Sequence, residues 1–481
     1  MKRLRVFLAS VGRRKVSVPD MTPPLGILCL AAYLRGRLDL DLLLMDQRVE
    51  NASVESVVRR AAGFGADVVG LSVLTSFASI LGPLTQGLRA ALPEALIVVG
   101  GPHVSSFEEA ALAGNVANAA VPGEGEIALE LIIRARQAGA DLTGIPGVLW
   151  RNGDGAVTRN PGMTSIIEDL DALPFPAYDL LDATRYWAVP SQAHLRPRRY
   201  LSLFSSRGCP CRCMYCHQVF GKRFRPCSPE RVVAEMEHYK QAFGVSDFEF
   251  QDDIFNFDPQ RVLGICDLMA KRNLKPRINF PNGLRTDALT EEVLDALVGA
   301  GLYFSAFALE SGSPRIQQLM GKQLNIDKFL QRVRWATDRG VFAHGFAMLG
   351  FPTETEEDLK ATLDAACNSR LHTAAFFTVV PYPGTELYAY VAKHAPEELE
   401  GIDYDDLEYS RARINLSAVP DEVLFGCQRA AWRRFYLNPG RLARIARDYP
   451  HPWYLLHYLP PFVMRATKGL FAERPLKGRT D

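Results

Sequence analysis

The chain has almost no net charge, no long apolar run and no second cysteine couple, and each deficit removes a class of function. Lys and Arg number 55 against 54 Asp and Glu, a formal net charge of +1. No bulk field therefore favours nucleic acid or an anionic membrane. No stretch of 18 apolar residues occurs, so no membrane span is expected. The opening MKRLRVFLASVGRRK has a short apolar run that ends at Arg13-Arg14 without a cleavage site. It reads as a first strand and not as a signal peptide, and the expected location is the cytoplasm. The nine cysteines are an odd number in a chain without a secretion signal, which argues against a disulfide framework. Cys29, Cys227, Cys266, Cys367 and Cys427 are scattered, and Cys29 alone precedes Cys209. The other four fall between Cys209 and Cys216, a grouping that suggests metal.

What is present is strand and helix in alternation. At 481 residues two or three domains are expected. Over residues 1–140, short apolar runs at Arg5–Ser10, Leu40–Met45, Asp67–Leu74, Ala95–Gly100 and Ala117–Val121 alternate with helical patterns. This predicts a doubly wound, Rossmann-like parallel sheet. Residues 141–195 read as a linker. It holds a hairpin around Asn152-Gly153-Asp154-Gly155 and the proline- and acid-rich DALPFPAYDLLD. Six further strand–helix units over 196–400 predict a partial (β/α)6 TIM-like barrel, whose chemistry sits at the C-terminal strand ends. Ser228-Pro229, Asp258-Pro259 and Thr290 supply helix caps there. Residues 401–481 form a helical C-terminal region in this reading.

The chemistry is carried by SSRGCPCRCMYCH, directly after the first barrel strand. Cys209-x3-Cys213-x2-Cys216 can wrap a cubane 4Fe–4S cluster and leave one iron without a protein ligand. Gly208 lets the backbone turn closely around it. The competing structural reading is a zinc knuckle of Cys209, Cys213, Cys216 and Cys227 in a binding module, but structural zinc often uses two paired sets and no second pair exists.

Here the chain resembles the radical S-adenosylmethionine (SAM) superfamily, whose hallmark is this spacing with an aromatic residue, here Tyr215, before the last cysteine. The resemblance covers roughly residues 196–400. It implies that SAM binds the open iron and that one electron cleaves it to methionine and a 5′-deoxyadenosyl radical. A reducing partner such as flavodoxin or ferredoxin is then expected. Cys211, between the first two ligands, departs from the pattern and is assigned as a bystander. Later strand ends supply candidate SAM contacts. Asp252 and Asp253 follow the second strand and can accept from the SAM ammonium; a helix-capping pair is the alternative. Glu310 and Ser311 follow the fourth strand, and the resemblance puts Glu310 at the ribose. Gly350 follows the fifth, and Pro383 lies in the PYPGTEL turn after the sixth.

The first domain resembles the cobalamin-binding domain that precedes the barrel in a large subfamily. Ser72–Leu74 matches its S-x-L element and Gly100–Gly101 its G-G element. Ser72, Leu74, Thr75, Gly100, Gly101, Gly123 and Glu124 are the expected cobalamin contacts. The cobalt-ligating form of that family carries D-x-H-x-x-G, where this chain has Asp46-Gln47-Arg48-Val49-Glu50-Asn51. The ligand histidine is missing, and His103 is read as a hydrogen-bonding residue and not a substitute ligand. The resemblance implies methyl transfer, or cyclisation, at an unactivated carbon of a small-molecule or lipid-like substrate. The alternative is elimination or rearrangement with a vestigial cobalamin domain. A methylthiotransferase would need three more cysteines near the N-terminus. The tail HPWYLLHYLPPFVMRATKGLF reads as a terminal helix packed on the barrel, with a lid or a peripheral membrane contact as the other readings.

Anaerobically reconstituted protein is expected to hold about four irons per chain. Alanine at Cys209, Cys213 or Cys216 should abolish reductive SAM cleavage, and Cys211→Ala should not. Zinc in place of iron in the anaerobic protein would overturn the assignment.

Overall fold

The computed structural model of the chain describes residues 3–14, 20–193, 195–405 and 414–457. The first domain is built on strands β1 (Leu4–Val11), β2 (Leu40–Asp46), β3 (Val68–Val73), β4 (Leu96–Gly100) and β5 (Ala119–Val121). They pair in parallel in the order β2-β1-β3-β4-β5. Alternate residues of β1 enter two different cores: Val6 and Leu8 one, Phe7 and Ala9 the other. Burial on both faces explains why these strands read as continuous apolar runs. The strand order reverses at β1 and β3, so the crevice of this sheet opens beyond their C-terminal ends.

The expected linker hairpin forms β6 (Leu149–Arg151) and β7 (Val157–Arg159). Asn152 Oδ1 accepts from the N–H groups of Asp154 and Ala156 and closes the turn. The hairpin does not stand between domains: β6 pairs antiparallel with β5 and extends the first sheet to seven strands.

The second sheet contains β8 (Leu201–Leu203), β11 (Asp247–Phe250), β12 (Arg277–Phe280), β13 (Leu302–Glu310), β14 (Phe342–Leu349) and β15 (Thr373–Thr378). All pairs are parallel, in the order β15-β14-β13-β12-β11-β8, which is the partial (β/α)6 barrel. Between β8 and β11 a small antiparallel ladder, β9 (Ser206–Arg207) with β10 (Arg225–Pro226), closes the base of the cysteine loop. Ser228, Asp258 and Thr290 accept from first-turn amides of their helices as expected. β15 is an edge strand, and the helix Asp421–Tyr436 covers it. Gln428 Nε2 donates to Phe376 O at 2.9 Å and Tyr436 Oη to Ala374 O at 2.8 Å, blunting an edge that would otherwise pair with another chain.

Residues 170–193 join the two halves. Ala177 N donates to Leu28 O, Tyr178 Oη to Ser202 O, and Tyr186 Oη to Asp46 Oδ2. Leu28, Tyr178 and Tyr239 belong to one continuous apolar core shared by both sheets. No helix among the described residues is long and apolar enough to cross a membrane. Most of the aromatic tail, including Pro460-Pro461, lies outside the described residues.

Phe280 is buried between Phe250 and Phe255, with ring centroids at 5.1 and 4.4 Å. Phe280→Ala is expected to cost about 3–5 kcal/mol in denaturant unfolding. A loss under 1 kcal/mol would contradict this packing.

Candidate active site

The cysteine loop spans residues 208–224 and is fixed at several points. Gly208 has φ +82, and a Cβ there would collide with the Arg223 carbonyl, so the turn into Cys209 needs glycine. Cys209 N donates to Gly221 O. Met214 N donates to Met320 O, and Leu387 N to Met214 O. Met214 and Tyr215 pack into an apolar cluster with Ile316, Met320, Phe351 and Leu387, over the C-terminal ends of β13 to β15. Burial first, then Cys213, pushes the Cys216 thiol up to about 11, so binding of a metal must release these protons.

Among the described residues no three His, Cys, Asp or Glu side chains converge as ligands of one ion. The thiolates of a cubane bind different irons and do not need to converge so closely. Cys227, the fourth ligand of the zinc reading, is buried in the large apolar core instead. Cys211 has its own partner: Arg285 Nη1 donates to its sulfur at 2.7 Å, and Lys222 Nζ to its carbonyl. This fits the bystander role.

The candidate SAM residues divide. A register shift between Ala308 and Glu310 precedes the last β13–β14 pair, Glu310 with Ala347, and Glu310 has φ +60. Such irregularities re-aim a side chain. Glu310 is buried, and among the described residues its Oε2 has no partner, a polar atom aimed where a ligand hydroxyl would satisfy it. Lys322, which the sequence reading missed, lies beside it. Its Nζ is 3.5 Å from Glu310 Oε1 and donates to Ala308 O. Asp253 faces the loop, 3.9 Å from His217 Nε2. Burial raises its carboxyl, with His217 and Lys222 pulling the other way.

Three expectations need correction. Asp252 is buried and accepts from Ser205 N, Ser205 Oγ and Ser206 Oγ, so it ties the loop entrance to β11 and has little capacity left for an ammonium. Ser311 is fully buried, with its Oγ at 3.1 Å from Thr362 Oγ1, and ties its strand end to the helix Glu356–Asn368 instead of holding a ligand. Gly350 donates its N–H to Glu354 Oε2, so its amide is not open to a ligand. Pro383 sits in its expected turn, and the next residue, Gly384, approaches Ser106 of the first domain.

The first domain's crevice has a small-residue floor. Gly101 has φ +90, and a Cβ there would stand 2.8 Å from Ser72 Oγ and 2.9 Å from Val73 N. Leu74 is 46% exposed at the rim, available to cover a large flat ligand. Thr75 is buried beside it. His103 is buried, and its Nδ1 has no partner among the described residues. Where the family histidine would stand there is Arg48, which donates to Asp20 O. Asp46 caps this turn, and Asn51 holds the left-handed conformation at φ 50. These residues fit a cobalamin held without histidine on cobalt.

Glu124 is the fourth correction. It is buried and accepts from Ile167 N, from Arg207 Nη1 at 2.8 Å, and from Arg225 Nη2. Glu126 takes the other nitrogen of Arg207 at 2.6 Å. A carboxylate with three donors has little left for cobalamin. It joins the domains instead, because Arg207 and Arg225 are the facing residues of the ladder below the cysteine loop. The same edges meet elsewhere. Gly123 faces Val219 O of the cysteine loop. Ser79 N donates to Asp405, and Phe107 stands edge-on to Tyr404 at 5.6 Å. Tyr404 Oη in turn donates to Pro381 O beside the turn after β15.

One buried carboxyl should govern a pH dependence. Glu354 accepts from Gly350 N and Phe351 N, its Oε1 has no partner among the described residues, and burial pushes it up to about 7 from 4.5. The folded chain holds this proton more tightly than the unfolded one. The contribution is therefore full below pH 4.5 and is lost as pH rises to about 7, by about 3 kcal/mol. Denaturant unfolding of Glu354→Gln at pH 5 to 8 should lack that part of the slope. An unchanged slope would refute it.

Comparison with known proteins agrees with this geometry. Residues 203–366 match the Radical SAM superfamily model and residues 15–133 the B12 binding domain model. An uncharacterized methyltransferase of Pyrococcus horikoshii is 29% identical over 92% of this chain and 94% of its own length. Cytidylyl-2-hydroxyethylphosphonate methyltransferase of Streptomyces wedmorensis is 27% identical, covering 77% of this chain and 78% of its own. The structure of the radical SAM methyltransferase TsrM from Kitasatospora setae, solved with cobalamin and a [4Fe-4S] cluster bound, superposes with a TM-score of 0.68. It shares 19% identity and covers 82% of this chain and 75% of its own. The chain thus carries a radical SAM domain preceded by a B12-binding domain.

Proposed function

We propose that the enzyme is a cobalamin-dependent methyltransferase acting on an unactivated carbon of a small-molecule biosynthetic intermediate. One observation carries the reading: Gly123 faces Val219 of the cysteine loop, and Gly384 of the turn after β15 faces Ser106. The rims of the two candidate cofactor sites are thus in contact. Methyl transfer needs one shared cavity, because reacting atoms must approach to about 3–3.5 Å. The relatives named as methyltransferases support the same reading.

In this reading Cys209, Cys213 and Cys216 hold the cluster. Asp253 and Glu310 accept from the ammonium and ribose of SAM, Tyr215 backs the cluster, and the turn at Pro383 lies beside the adenine. Lys322 balances the charge of Glu310. Ser72, Leu74, Thr75, Gly100, Gly101 and Gly123 form the cobalamin floor. When bound, the cluster and SAM supply a carbon-centred radical and cobalamin supplies the methyl group. The protein's task is to exclude water and hold the substrate carbon between them. A small electron-transfer protein such as flavodoxin or ferredoxin supplies the reducing electron.

The test is spectroscopic. Electron paramagnetic resonance of the cob(II)alamin form is expected to show no nitrogen splitting from an axial base, and His103→Ala should leave it unaltered. A nitrogen triplet lost in His103→Ala would overturn the axial assignment. Gly101→Trp should abolish cobalamin uptake and product methylation but keep uncoupled SAM cleavage within about threefold of the parent, since the cluster site is untouched. Normal turnover by that variant would make the first domain vestigial and favour elimination or rearrangement.

A further inference from the structure

The cysteine loop leaves the barrel at β9 and returns at β10, with Arg207 directly opposite Arg225. Two buried guanidinium groups side by side repel each other unless carboxylates stand between them. Both carboxylates that do so come from the other domain, Glu124 from the turn after β5 and Glu126 from the first position of the helix Glu126–Ala138. Glu124 reaches Arg207 and Arg225 together, and Glu126 takes the second nitrogen of Arg207. All four side chains are buried. Arg225 also donates to Phe220 O inside the loop and to Ile167 O of the linker, and Arg207 lies over the Phe220 ring at 5.3 Å. Gly123, the neighbour of Glu124, faces Val219 O. One short turn of the cobalamin-binding domain therefore grips the loop both at its base and beside Phe220.

The geometry points to Glu124 as a positioning residue whose carboxylate fixes the cluster loop to the cobalamin-binding domain and so sets the separation between the two reactive centres. This rests on the proposed function for the identity of the centres, while the clamp is a property of the chain's own side chains. Glu124 touches neither cofactor in this scheme and acts through Arg207 and Arg225. Its loss should release the loop base without removing a cysteine. Glu126 holds one nitrogen of one arginine, so its loss should matter less.

The test uses the full chain with Glu124→Gln, Arg225→Lys and Glu126→Gln. The first readout is hydrogen exchange of the apo protein. The second is the dipolar distance between cob(II)alamin and the reduced cluster, after loading with hydroxocobalamin, iron and sulfide. Glu124→Gln and Arg225→Lys should keep a cooperative melt. Their amides over 208–224 should exchange at least tenfold faster, while those of the helix Pro229–Phe243 keep the parent's rates. The distance distribution should broaden, and Glu126→Gln should give the smallest change. Parent-like exchange and distance in Glu124→Gln would overturn the proposal. So would loss of the cooperative melt in both Glu124→Gln and Arg225→Lys, because the ions would then serve general stability. A parent chain that takes up neither iron nor cobalamin would refute the proposed function, and exchange in the apo chain would still decide the clamp.

Discussion

Two arginines buried beneath the cysteine loop impose the constraint on which the site depends. Arg207 and Arg225 face each other in a two-residue ladder, and neither can be buried there without a carboxylate. Those carboxylates, Glu124 and Glu126, belong to the other domain. Removing one partner of such a network leaves an uncompensated buried charge, at about 3–5 kcal/mol. The barrel alone therefore cannot close this loop at low free energy. The shape of the cluster site and the docking of the first domain are one problem with one solution.

The linker reinforces that docking. Tyr178 and Tyr186 from the linker donate into the barrel and into the first sheet, and Tyr178 shares a core with Leu28 and Tyr239. A linker made of these contacts is a third packing layer and not a tether, which suits a site whose two halves must keep a fixed distance. Across the opening, Tyr404 and Asp405 contact the first domain near Phe107 and Ser79. The two domains thus touch at more than one place.

Within the barrel, charge is distributed unevenly around the loop. Cations lie close to the cysteines: Arg285 on Cys211 sulfur and Lys222 on its carbonyl. Thiolates and a SAM carboxylate are anions, and fixed cations beside them stabilise them. Glu310 Oε2, without a partner among the described residues, is the exception, and a buried acceptor left open in a well-packed site is the kind of feature a bound ligand explains.

The amino-acid sequence by itself determined the local features. Both parallel sheets, the order of their strands along the chain, the capped helices and the cysteine loop were legible, because apolar periodicity, cap residues and close ligand spacing act over a few residues. Gly101 and Glu310 were legible for the same reason, as a turn residue and as the last residue of a strand. Only the tertiary structure decided what the acidic residues do. Asp252 and Asp253 are neighbours, yet one is held by Ser205 and Ser206 while the other faces the loop. Glu124 looked like a ligand contact because it stands in a glycine-rich turn at a sheet edge. Its partners lie 83 and 101 residues away, and no local pattern encodes them. Lys322 was missed because a lone lysine after a helix has no signature until β13 brings Glu310 to it. A carboxylate takes its role from whatever donors reach it, and for buried groups the donors are chosen by the packing of distant segments.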